Sequence, residues 1–361
     1  MKLAVFIPSL EGGGAERVTV TLVNALIERG HSVDLIMPEA KGTYLKDLHS
    51  EVRVIPLGQK RVLFCIFSLA AYMRKTKPEV LLSVLNHANV VALMAKKLSG
   101  IKIRILAAEH NNLARAVKDD TSFATRVLIA LMRFIYPMAD QVIACSEGVA
   151  DSLTAVLGLP KDKVAVVYNP VVTDKVLQLS QETVHDDFFL KEGKKLVAVG
   201  RLTAQKDFAT LLKAFAEVRK VANVHLAILG EGELRTKLED YCAELGLGGS
   251  VFMPGFVDNP YAWMSSADLF VLSSAWEGLP TVLIEAMACG VAVVSTDCPS
   301  GPSEILQGQK WGALVPVGDY KALSVAILES LESPENNNVR ERAMLFNVDN
   351  SVNHYIKLFG G

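Results

Sequence analysis

Short apolar runs of strand length alternate with segments of helix-like periodicity. This alternation is the strongest constraint that the sequence places on the fold. Segments such as Glu16 to Arg29 separate the runs. Continuous apolar strands joined by helices predict a parallel sheet that helices cover on both faces. The first set of runs lies at 2–9, 32–38, 52–57, 79–84, 102–110 and 141–146.

The same rhythm restarts in the second half of the chain, at 195–200, 224–230, 250–255, 269–274, 292–296 and 312–317. A length of 361 residues favours two domains over one. The stretch between the two sets is polar and weakly periodic, so we predict a linker over 170–192. The sequence therefore predicts an α/β protein with two doubly wound Rossmann-like domains, each binding ligands beyond the carboxyl ends of its strands.

Composition excludes several other classes of protein. Half of the residues are hydrophobic and 21% are charged, which argues against disorder. The five cysteines are odd in number and lack CxxC spacing, which argues against a disulfide framework and a zinc site and suggests a reducing compartment. We expect no spanning helix, and we interpret the stretch after Met1 as a first strand rather than a signal peptide.

The stretch WEGLPTVLIEAMACG, residues 276–290, places two glutamates eight positions apart among apolar residues. Pro280 suits the first position of a helix and Gly290 its end, so Glu277 should lie in a loop and Glu285 inside the helix. A helix N-terminus suits an anion such as a diphosphate, and carboxylates accept hydrogen bonds from hydroxyls. A nucleotide sugar offers both groups.

This E-x7-E element occurs together with VGRLTAQKDF at 199–208 and GGGAER at 12–17. In that order, across nearly the whole chain, the three elements resemble the retaining glycosyltransferases of family 4, which have the GT-B fold. The resemblance implies two Rossmann-like domains that face a cleft. It also implies that no metal and no cofactor are needed, since the nucleotide sugar is a substrate. We place the domains at 1–171 and 172–345, with a helix at 346–361 that crosses back to the first domain.

The resemblance also assigns roles to individual residues. Arg201 and Lys206 would hold the departing diphosphate, supplying fixed positive charge in place of a metal ion. Glu277 would hydrogen-bond the donor sugar, and Glu285 would hold the nucleotide ribose. The expected catalytic residues are His110, Arg201, Lys206 and Glu277. The last three are also expected to bind the donor, together with Gly13, Gly14, Glu16, Gly278, Leu279, Pro280 and Glu285.

Some of these residues have structural alternatives that the sequence leaves open. Gly13, Gly14 and Glu16 lie in a loop that would approach the donor phosphates, yet Glu16 could simply stabilise the start of its helix. His110 matches the histidine that the family places near the donor sugar, although a lone histidine at a strand end is often structural. Ser146 resembles a polar residue of the cleft, but a helix cap explains it as well.

The sequence says less about the chemical identity of the acceptor substrate than about that of the donor. Residues 60–77 and 125–140 combine apolar runs with basic residues, in a half of the chain that is net basic. Each segment is typical either of a helix on an anionic membrane or of a buried helix. The stretch CPSGPSEILQG at 298–308 resembles a segment of bacterial members that extend polyprenyl-diphosphate-linked or polysaccharide-repeat oligosaccharides, often with UDP-linked donors.

The expected partners are thus a UDP-linked nucleotide sugar, a glycan or polyprenyl-diphosphate-linked acceptor and an anionic membrane, with no nucleic acid. The expected location is cytoplasmic, at the inner face of the cell membrane. Two other classes remain open: a nucleotide-sugar epimerase or hydrolase of GT-B fold, and a non-catalytic GT-B scaffold. Product analysis without an acceptor separates the first from a transferase. The second is disfavoured because the site residues are intact, namely His110, Arg201, Lys206, Glu277 and Glu285.

Overall fold

A computed structural model describes residues 1–119, 122–332 and 338–360, and the chain forms two compact units. Unit 1 comprises Met1–Pro170 together with Val348–Gly361, and unit 2 comprises Val171–Asn347. Each unit is built around its own parallel sheet, which confirms the predicted α/β architecture. The two units are described separately below.

Unit 1 contains a sheet of seven strands within the described residues, in the order β3-β2-β1-β4-β5-β6-β7, with every neighbouring pair parallel. Its central strands are continuous apolar runs because helices cover both faces, as in β4, where all five residues of VLLSV are buried. The strands are β1 Lys2–Phe6, β2 Ser32–Met37, β3 Arg53–Pro56, β4 Val80–Val84, β5 Arg104–Glu109, β6 Gln141–Ala144 and β7 Val164–Val166.

The helices of unit 1 follow the strands in alternation. They are α1 Gly14–Glu28, α2 Ile66–Thr76, α3 Asn86–Ser99, α4 Leu113–Asp119, α5 Phe123–Ile135 and α6 Glu147–Leu157. Short 3-10 turns occupy Thr43–Asp47, Val62–Cys65, Tyr136–Met138 and Lys161–Lys163. Buried residues of β1, α1 and β2 form one apolar core.

Unit 2 contains six parallel strands within the described residues, in the order β10-β9-β8-β11-β12-β13. They are β8 Lys194–Val199, β9 Val224–Leu229, β10 Val251–Gly255, β11 Leu269–Leu272, β12 Ala292–Thr296 and β13 Ala313–Val315. Its helices are α7 Asp174–Leu179, α8 Asp187–Leu190, α9 Phe208–Arg219, α10 Arg235–Glu244, α11 Pro260–Ser266, α12 Thr281–Cys289, α13 Pro302–Leu306, α14 Tyr320–Glu332 and α15 Val339–Ala343, followed by a 3-10 turn at Met344–Phe346.

The last helix, α16 (Val348–Gly360), belongs to unit 1. Its buried residues Val352, Tyr355 and Phe359 recur at helical spacing and join the core formed by β1 and α1. The backbone carbonyl of Leu358 accepts a hydrogen bond of 2.9 Å from Arg104 Nε. The chain thus enters unit 2 after Pro170 and leaves it after Asn347.

The structure differs from the sequence prediction at one edge of the first sheet and in the stretch between the two sets of strands. A short strand, β7, was not predicted and adds a seventh member to the edge of the first sheet. The stretch 170–192, predicted as a linker, contains α7 and α8, whose first turns are capped by the side chains of Thr173 and Asp186. These caps satisfy backbone N–H groups locally, so helices form without a long periodic pattern.

Candidate active site

Lys206 and Glu277, which lie 71 positions apart, form a close ion pair at the carboxyl ends of β8 and β11 in unit 2. Lys206 Nζ lies 2.6 Å from Glu277 Oε1, and the two side chains are only 14% and 8% exposed. The same Oε1 accepts a 2.7 Å hydrogen bond from Ser274 Oγ, while Gln205 Nε2 lies 3.3 Å from Oε2. Both carboxylate oxygens of Glu277 are therefore held in place by donors.

Hydrogen bonds between the two loops fix this geometry. Ala275 N donates to the carbonyl of Gln205 at 2.8 Å, and Ser273 Oγ donates to the carbonyl of Lys206 at 2.8 Å. Gln205 Nε2 also donates to the carbonyl of Trp276 at 3.0 Å. Because three separate bonds tie the loop after β8 to the loop after β11, Lys206 and Glu277 meet without depending on their own ion pair.

Arg201 lies in the same loop as Lys206 but in a different environment. Its side chain is exposed, and it has no hydrogen-bond partner among the residues that the structure describes. The backbone around it is held by the loop after β9: Leu202 N donates to the carbonyl of Glu231 at 2.9 Å, and Leu234 N donates to that of Leu202 at 3.0 Å. The guanidinium is thus presented from a fixed backbone to solvent.

Glycines allow the loops after β8 and β9 to approach this closely. Gly230 has φ +137°, and a Cβ there would lie 2.1 Å from the carbonyl oxygen of Gly200. A Cβ at Gly232 would lie 2.4 Å from the carbonyl oxygen of Leu202. Neither contact is possible for a real side chain, so the position of Arg201 depends on these two glycines.

Glu285 lies within α12, as the sequence predicts, and is 3% exposed. The helix ends at Gly290 in the left-handed conformation, also as predicted, but Pro280 is its N-cap and Thr281 its first residue. The loop before it is supported by the segment after β12, where Gly301 approaches Pro280 so closely that a Cβ would lie 2.4 Å from Pro280 Cδ. Gly278, Leu279 and Pro280 therefore have a fixed backbone.

In unit 1, Gly13 is the N-cap of α1 and Gly14 its first residue. The carboxylate of Glu16 folds over Gly13, where a Cβ would lie 2.1 Å from Glu16 Oε2. A carboxylate in the first turn of a helix stabilises the helix, so this arrangement agrees with the structural alternative for Glu16. Ser146 caps α6, since its Oγ accepts a 3.2 Å hydrogen bond from Val149 N.

His110 directly follows β5 and is partly buried, with its Nδ1 enclosed and without a hydrogen-bond partner among the described residues. Burial lowers the pKa of His110 to about 4, so the ring is neutral at pH 7. A neutral imidazole can donate from one ring nitrogen and accept at the other. It can orient a hydroxyl but carries no charge to stabilise an anion.

A buried polar cluster lies directly before His110, and the sequence interpretation did not single it out. Glu109 is 3% exposed and accepts hydrogen bonds from Tyr136 OH and, at 2.9 Å, from Asn89 Nδ2. Burial raises the pKa of Glu109 to about 7 against these hydrogen bonds, which lower it. Asn89 Nδ2 also donates to the carbonyl of Ala108 at 2.9 Å, so the cluster fixes the end of β5.

The structure thus brings Lys206 and Glu277 together, adds Gln205 and Ser274 to them, and places Arg201 and Glu285 in the same unit. The other predicted residues, Gly13, Gly14, Glu16 and His110, lie in unit 1. Gln205 lies inside the motif VGRLTAQKDF, in which only the basic residues indicate a function. No sequence feature indicates a role for Ser274. Across the described ranges, no group of three or more His, Cys, Asp or Glu side chains is placed to hold a metal ion.

Comparisons with known proteins agree with this architecture. The family described as Glycosyltransferase Family 4 matches residues 12–175, and the family described as Glycosyl transferases group 1 matches residues 180–344. Among solved structures, Anabaena HepE with UDP and glucose has a TM-score of 0.81 at 20% identity, with all of both chains covered. The sucrose-phosphate synthase of Thermosynechococcus elongatus has a TM-score of 0.82 at 21% identity, covering 99% of this chain and 98% of that one. At such identities these structures show the fold alone, which is GT-B.

Two curated relatives come from Campylobacter jejuni. One is the N-acetylgalactosamine-N,N'-diacetylbacillosaminyl-diphospho-undecaprenol 4-alpha-N-acetylgalactosaminyltransferase, 30% identical over 360 residues, which are 96% of this chain and 95% of the relative. The other is a GalNAc-alpha-(1->4)-GalNAc-alpha-(1->3)-diNAcBac-PP-undecaprenol alpha-1,4-N-acetyl-D-galactosaminyltransferase, 30% identical over 99% and 98% of the two chains. The chain therefore belongs to glycosyltransferase family 4 and is a glycosyltransferase. The epimerase and scaffold alternatives are not favoured.

Proposed function

We propose that this protein transfers a hexose or N-acetylhexosamine from a UDP-sugar to a lipid-linked or polysaccharide-repeat oligosaccharide, with retention of the anomeric configuration. The observation that carries the proposal is the largely buried Lys206–Glu277 pair, with the exposed Arg201 in the same loop as Lys206, because cations and a carboxylate suit a nucleotide sugar. Further support comes from relatives that act on undecaprenyl-diphosphate-linked sugars and from a structural neighbour that binds UDP.

Lys206 and Arg201 would bind the donor diphosphate. An ammonium group has three N–H donors, and Lys206 directs one of them to Glu277 Oε1, which leaves two for phosphate oxygens. The guanidinium of Arg201 can contact a phosphate through two parallel hydrogen bonds. Lys206 is held by Glu277 and Arg201 extends from a backbone that is itself held, so both cations would stabilise the charge that develops as the diphosphate leaves. On this basis we propose that transfer needs no metal ion.

Glu277 would hold the donor sugar through its hydroxyl groups, while Glu285 would hold the ribose. In a retaining transfer on one face of the sugar, the acceptor oxygen bonds to the anomeric carbon as the bond to the diphosphate oxygen breaks. The hydroxyl proton passes to the departing diphosphate, so no strong protein nucleophile is required. His110, neutral at pH 7, would serve as a hydrogen-bond partner and not as an acid.

We also propose that unit 1 contacts an anionic membrane surface. Phe67, Ala71 and Arg74 form one exposed stripe along α2, and Leu63 and Phe64 continue it before the helix. The helix α5 exposes Phe123 and Phe134, which are 82% and 81% exposed. Exposed aromatic residues between basic ones are typical of interfacial helices. None of the helices in the described part of the chain is long and apolar enough to cross a membrane.

The buried face of these helices accounts for the rest of their apolar residues. Leu69, Tyr72 and Met73 of α2 are buried, as are Ile129 and Met132 of α5. The two interpretations of each segment therefore apply to opposite faces of the same helix. The membrane interpretation is confined to the exposed stripes, and we expect the location to be peripheral, at the cytoplasmic face of the cell membrane.

A panel of UDP- and GDP-sugars tests the proposed function. Binding raises the melting temperature with ligand concentration, so thermal shift identifies the nucleotide and sugar. The selected donor is then incubated with and without an undecaprenyl-diphosphate-linked glycan. We expect glycan extension with the acceptor and only slow donor hydrolysis without it. Rapid formation of free or epimerised sugar, with no extension, would contradict the proposal.

A further inference from the structure

Glu277 is also held from β12, the strand that lies beside β11 in the second sheet. Thr296, the last residue of β12, donates from Oγ1 to the carbonyl oxygen of Ser274 at 2.6 Å. Ser274 in turn donates from its Oγ to Glu277 Oε1 at 2.7 Å. Two hydroxyl groups therefore link the carboxyl end of β12 to the carboxylate that we expect to hold the donor sugar.

Both hydroxyl groups lie in the interior of unit 2. Ser274 is 0% exposed and Thr296 is 1% exposed, and buried hydroxyl groups need partners. The single proton of the Thr296 hydroxyl goes to Ser274, because the other carbonyl within reach, that of Leu272, is 3.5 Å away. In addition, Glu277 N donates to the carbonyl of Pro299 at 3.3 Å, in the loop after β12. The end of β12 thus supports Glu277 through its side chain and its backbone.

The two carboxylate oxygens of Glu277 have different numbers of donors. Oε1 accepts from Lys206 Nζ at 2.6 Å and from Ser274 Oγ at 2.7 Å, which occupies both of its lone-pair positions. Oε2 has one contact among the described residues, with Gln205 Nε2 at 3.3 Å. That amide group also donates to the carbonyl of Trp276, at 3.0 Å. One acceptor position on Oε2 is therefore open to a hydroxyl group of a ligand.

Ser274 and Lys206 share Oε1, but only the contact with Lys206 depends on the charge of the ligand. In the proposed function the ammonium group of Lys206 also contacts the diphosphate, where negative charge grows as the bond to the sugar breaks. The diphosphate then competes with Glu277 for Lys206. The hydroxyl of Ser274 is uncharged and buried, so its hydrogen bond to Oε1 persists while Lys206 interacts with the diphosphate.

We propose that Ser274 is a positioning residue for recognition of the donor sugar. Supported by Thr296, it holds Oε1 of Glu277 so that Oε2 accepts a hydrogen bond from a hydroxyl group of the sugar. The inference rests on the proposed function for the identity of the donor. It adds that recognition of the sugar depends on two buried hydroxyl groups, one of them on a different strand from Glu277, and that binding of the nucleotide does not.

Calorimetry of the full-length protein with UDP, UDP-glucose and UDP-N-acetylgalactosamine tests the inference. Ser274→Ala removes a hydrogen bond to a charged group, so it should weaken binding of the tighter UDP-sugar roughly 10-fold and leave UDP affinity within about twofold of the parent. Ser324→Ala is the matched control, because this buried hydroxyl of unit 2 bonds only within α14, to the carbonyl of Lys321 at 2.8 Å. It should change neither affinity. Parent-like UDP-sugar affinity in Ser274→Ala overturns the inference.

Substitutions of Thr296 test the second hydroxyl group and decide the question if Ser274→Ala does not fold. Thr296→Val removes the hydroxyl at nearly constant volume, whereas Thr296→Ser keeps it. We expect Thr296→Val to weaken UDP-sugar binding roughly 3- to 10-fold, with UDP binding unchanged, and Thr296→Ser to bind like the parent. Urea denaturation measures the stability of each variant. Equal losses of UDP and UDP-sugar affinity that follow a loss of stability would indicate a purely structural role and contradict the inference.

A double-mutant cycle with Glu277→Gln separates this inference from the proposed function. Glu277→Gln alone should weaken UDP-sugar binding, and adding Ser274→Ala should weaken it little further, because Ser274 acts through the carboxylate. Additive losses would contradict the inference and leave the role of Glu277 standing. Failure of the parent to bind either UDP-sugar, or unchanged UDP-sugar affinity in Glu277→Gln, would overturn the proposed donor site and the inference with it.

Discussion

At the scale of single residues, Lys206 and Arg201 share one loop but depend on their surroundings in different ways. Lys206 is mostly buried and faces the carboxylate of Glu277, whereas Arg201 is exposed and has no partner among the described side chains. Removing Lys206 leaves a buried carboxylate with fewer donors, which destabilises the fold. Removing Arg201 leaves nothing unpaired. Substitution of Lys206 should therefore affect both catalysis and stability, whereas substitution of Arg201 should affect catalysis alone.

We predict that Arg201→Ala and Lys206→Ala each cost about 2.7 to 4 kcal/mol of transition-state stabilisation, as for a lost fixed donor to a developing anion. Only Lys206→Ala should also lower the melting temperature. The double variant Lys206→Ala/Glu277→Gln should recover stability but not turnover. Steady-state kinetics and calorimetry measure both quantities. Turnover of the single variants within a few-fold of the parent would refute the assignment.

The buried carboxyl of Glu109 should make stability depend on pH. Its pKa is raised from 4.5 to about 7, so the folded protein binds this proton more tightly than the unfolded chain does. Its contribution to the free energy of unfolding is therefore full below about pH 4.5 and is lost as pH rises towards 7, on the order of 3 kcal/mol in all. Histidines with lowered pKa, such as His110, contribute in the opposite direction over part of this range.

We predict that Glu109→Gln abolishes the part of the decrease in the free energy of unfolding between pH 5 and 8 that Glu109 causes, as measured by urea denaturation. The amide still offers an acceptor to Tyr136 but does not titrate. Glu51→Gln, which replaces an exposed carboxylate of the same unit, is the control and should keep the slope of the parent. An identical pH dependence in Glu109→Gln and the parent would show that Glu109 does not titrate in this range.

Several of these residues can be predicted from sequence motifs, but the residues that they contact cannot. Glu277 and Lys206 stand in recognisable motifs, whereas their pairing requires the loops after β8 and β11 to be adjacent in the sheet. Asn89 and Tyr136 lie 20 and 27 positions from Glu109, and nothing local connects them to it. Charge and hydrogen-bond complementarity across such distances depends on tertiary structure.

At the scale of elements, the loops at the carboxyl ends of the strands carry the site, and glycines set their spacing. We predict that Gly230→Ala displaces the loop that holds Arg201, because its Cβ would collide with the carbonyl of Gly200 at a positive φ. It should lose more than about 1 kcal/mol of stability and most of the turnover. Gly248→Ala, whose Cβ would have no neighbour within 4 Å, is the matched control. Equal activity in both variants would contradict this role of Gly230.

Element prediction succeeded where the pattern was long and failed where it was short. All twelve predicted strands form, because continuous apolar runs between helices have few other solutions in an α/β fold. The strand β7 has three half-buried residues and pairs on one side only, so it leaves almost no pattern. The helices α7 and α8 have six and four residues, too few for periodicity, and only their caps mark them.

At the scale of the whole molecule, the exposed stripes of unit 1 should determine membrane binding. We predict that Arg74→Glu/Lys75→Glu weakens co-sedimentation with anionic liposomes at moderate salt, since each basic residue near the surface contributes about 1 kcal/mol. Lys161→Glu/Lys163→Glu is the matched charge reversal away from the stripe. Circular dichroism confirms that both variants fold. Equal loss in the two variants would indicate an effect of net charge and not of a docking surface.

We propose that Arg201, Lys206 and the carboxylate of Glu277 support transfer of the sugar with retention and without a metal ion. The most direct test is NMR of the product formed in EDTA from an α-linked UDP-sugar and a lipid-linked acceptor. We expect continued transfer and an α-linked product, because Arg201 and Lys206 would supply the positive charge at the diphosphate. A β-linked product, or activity that EDTA abolishes and a divalent cation restores, would contradict it.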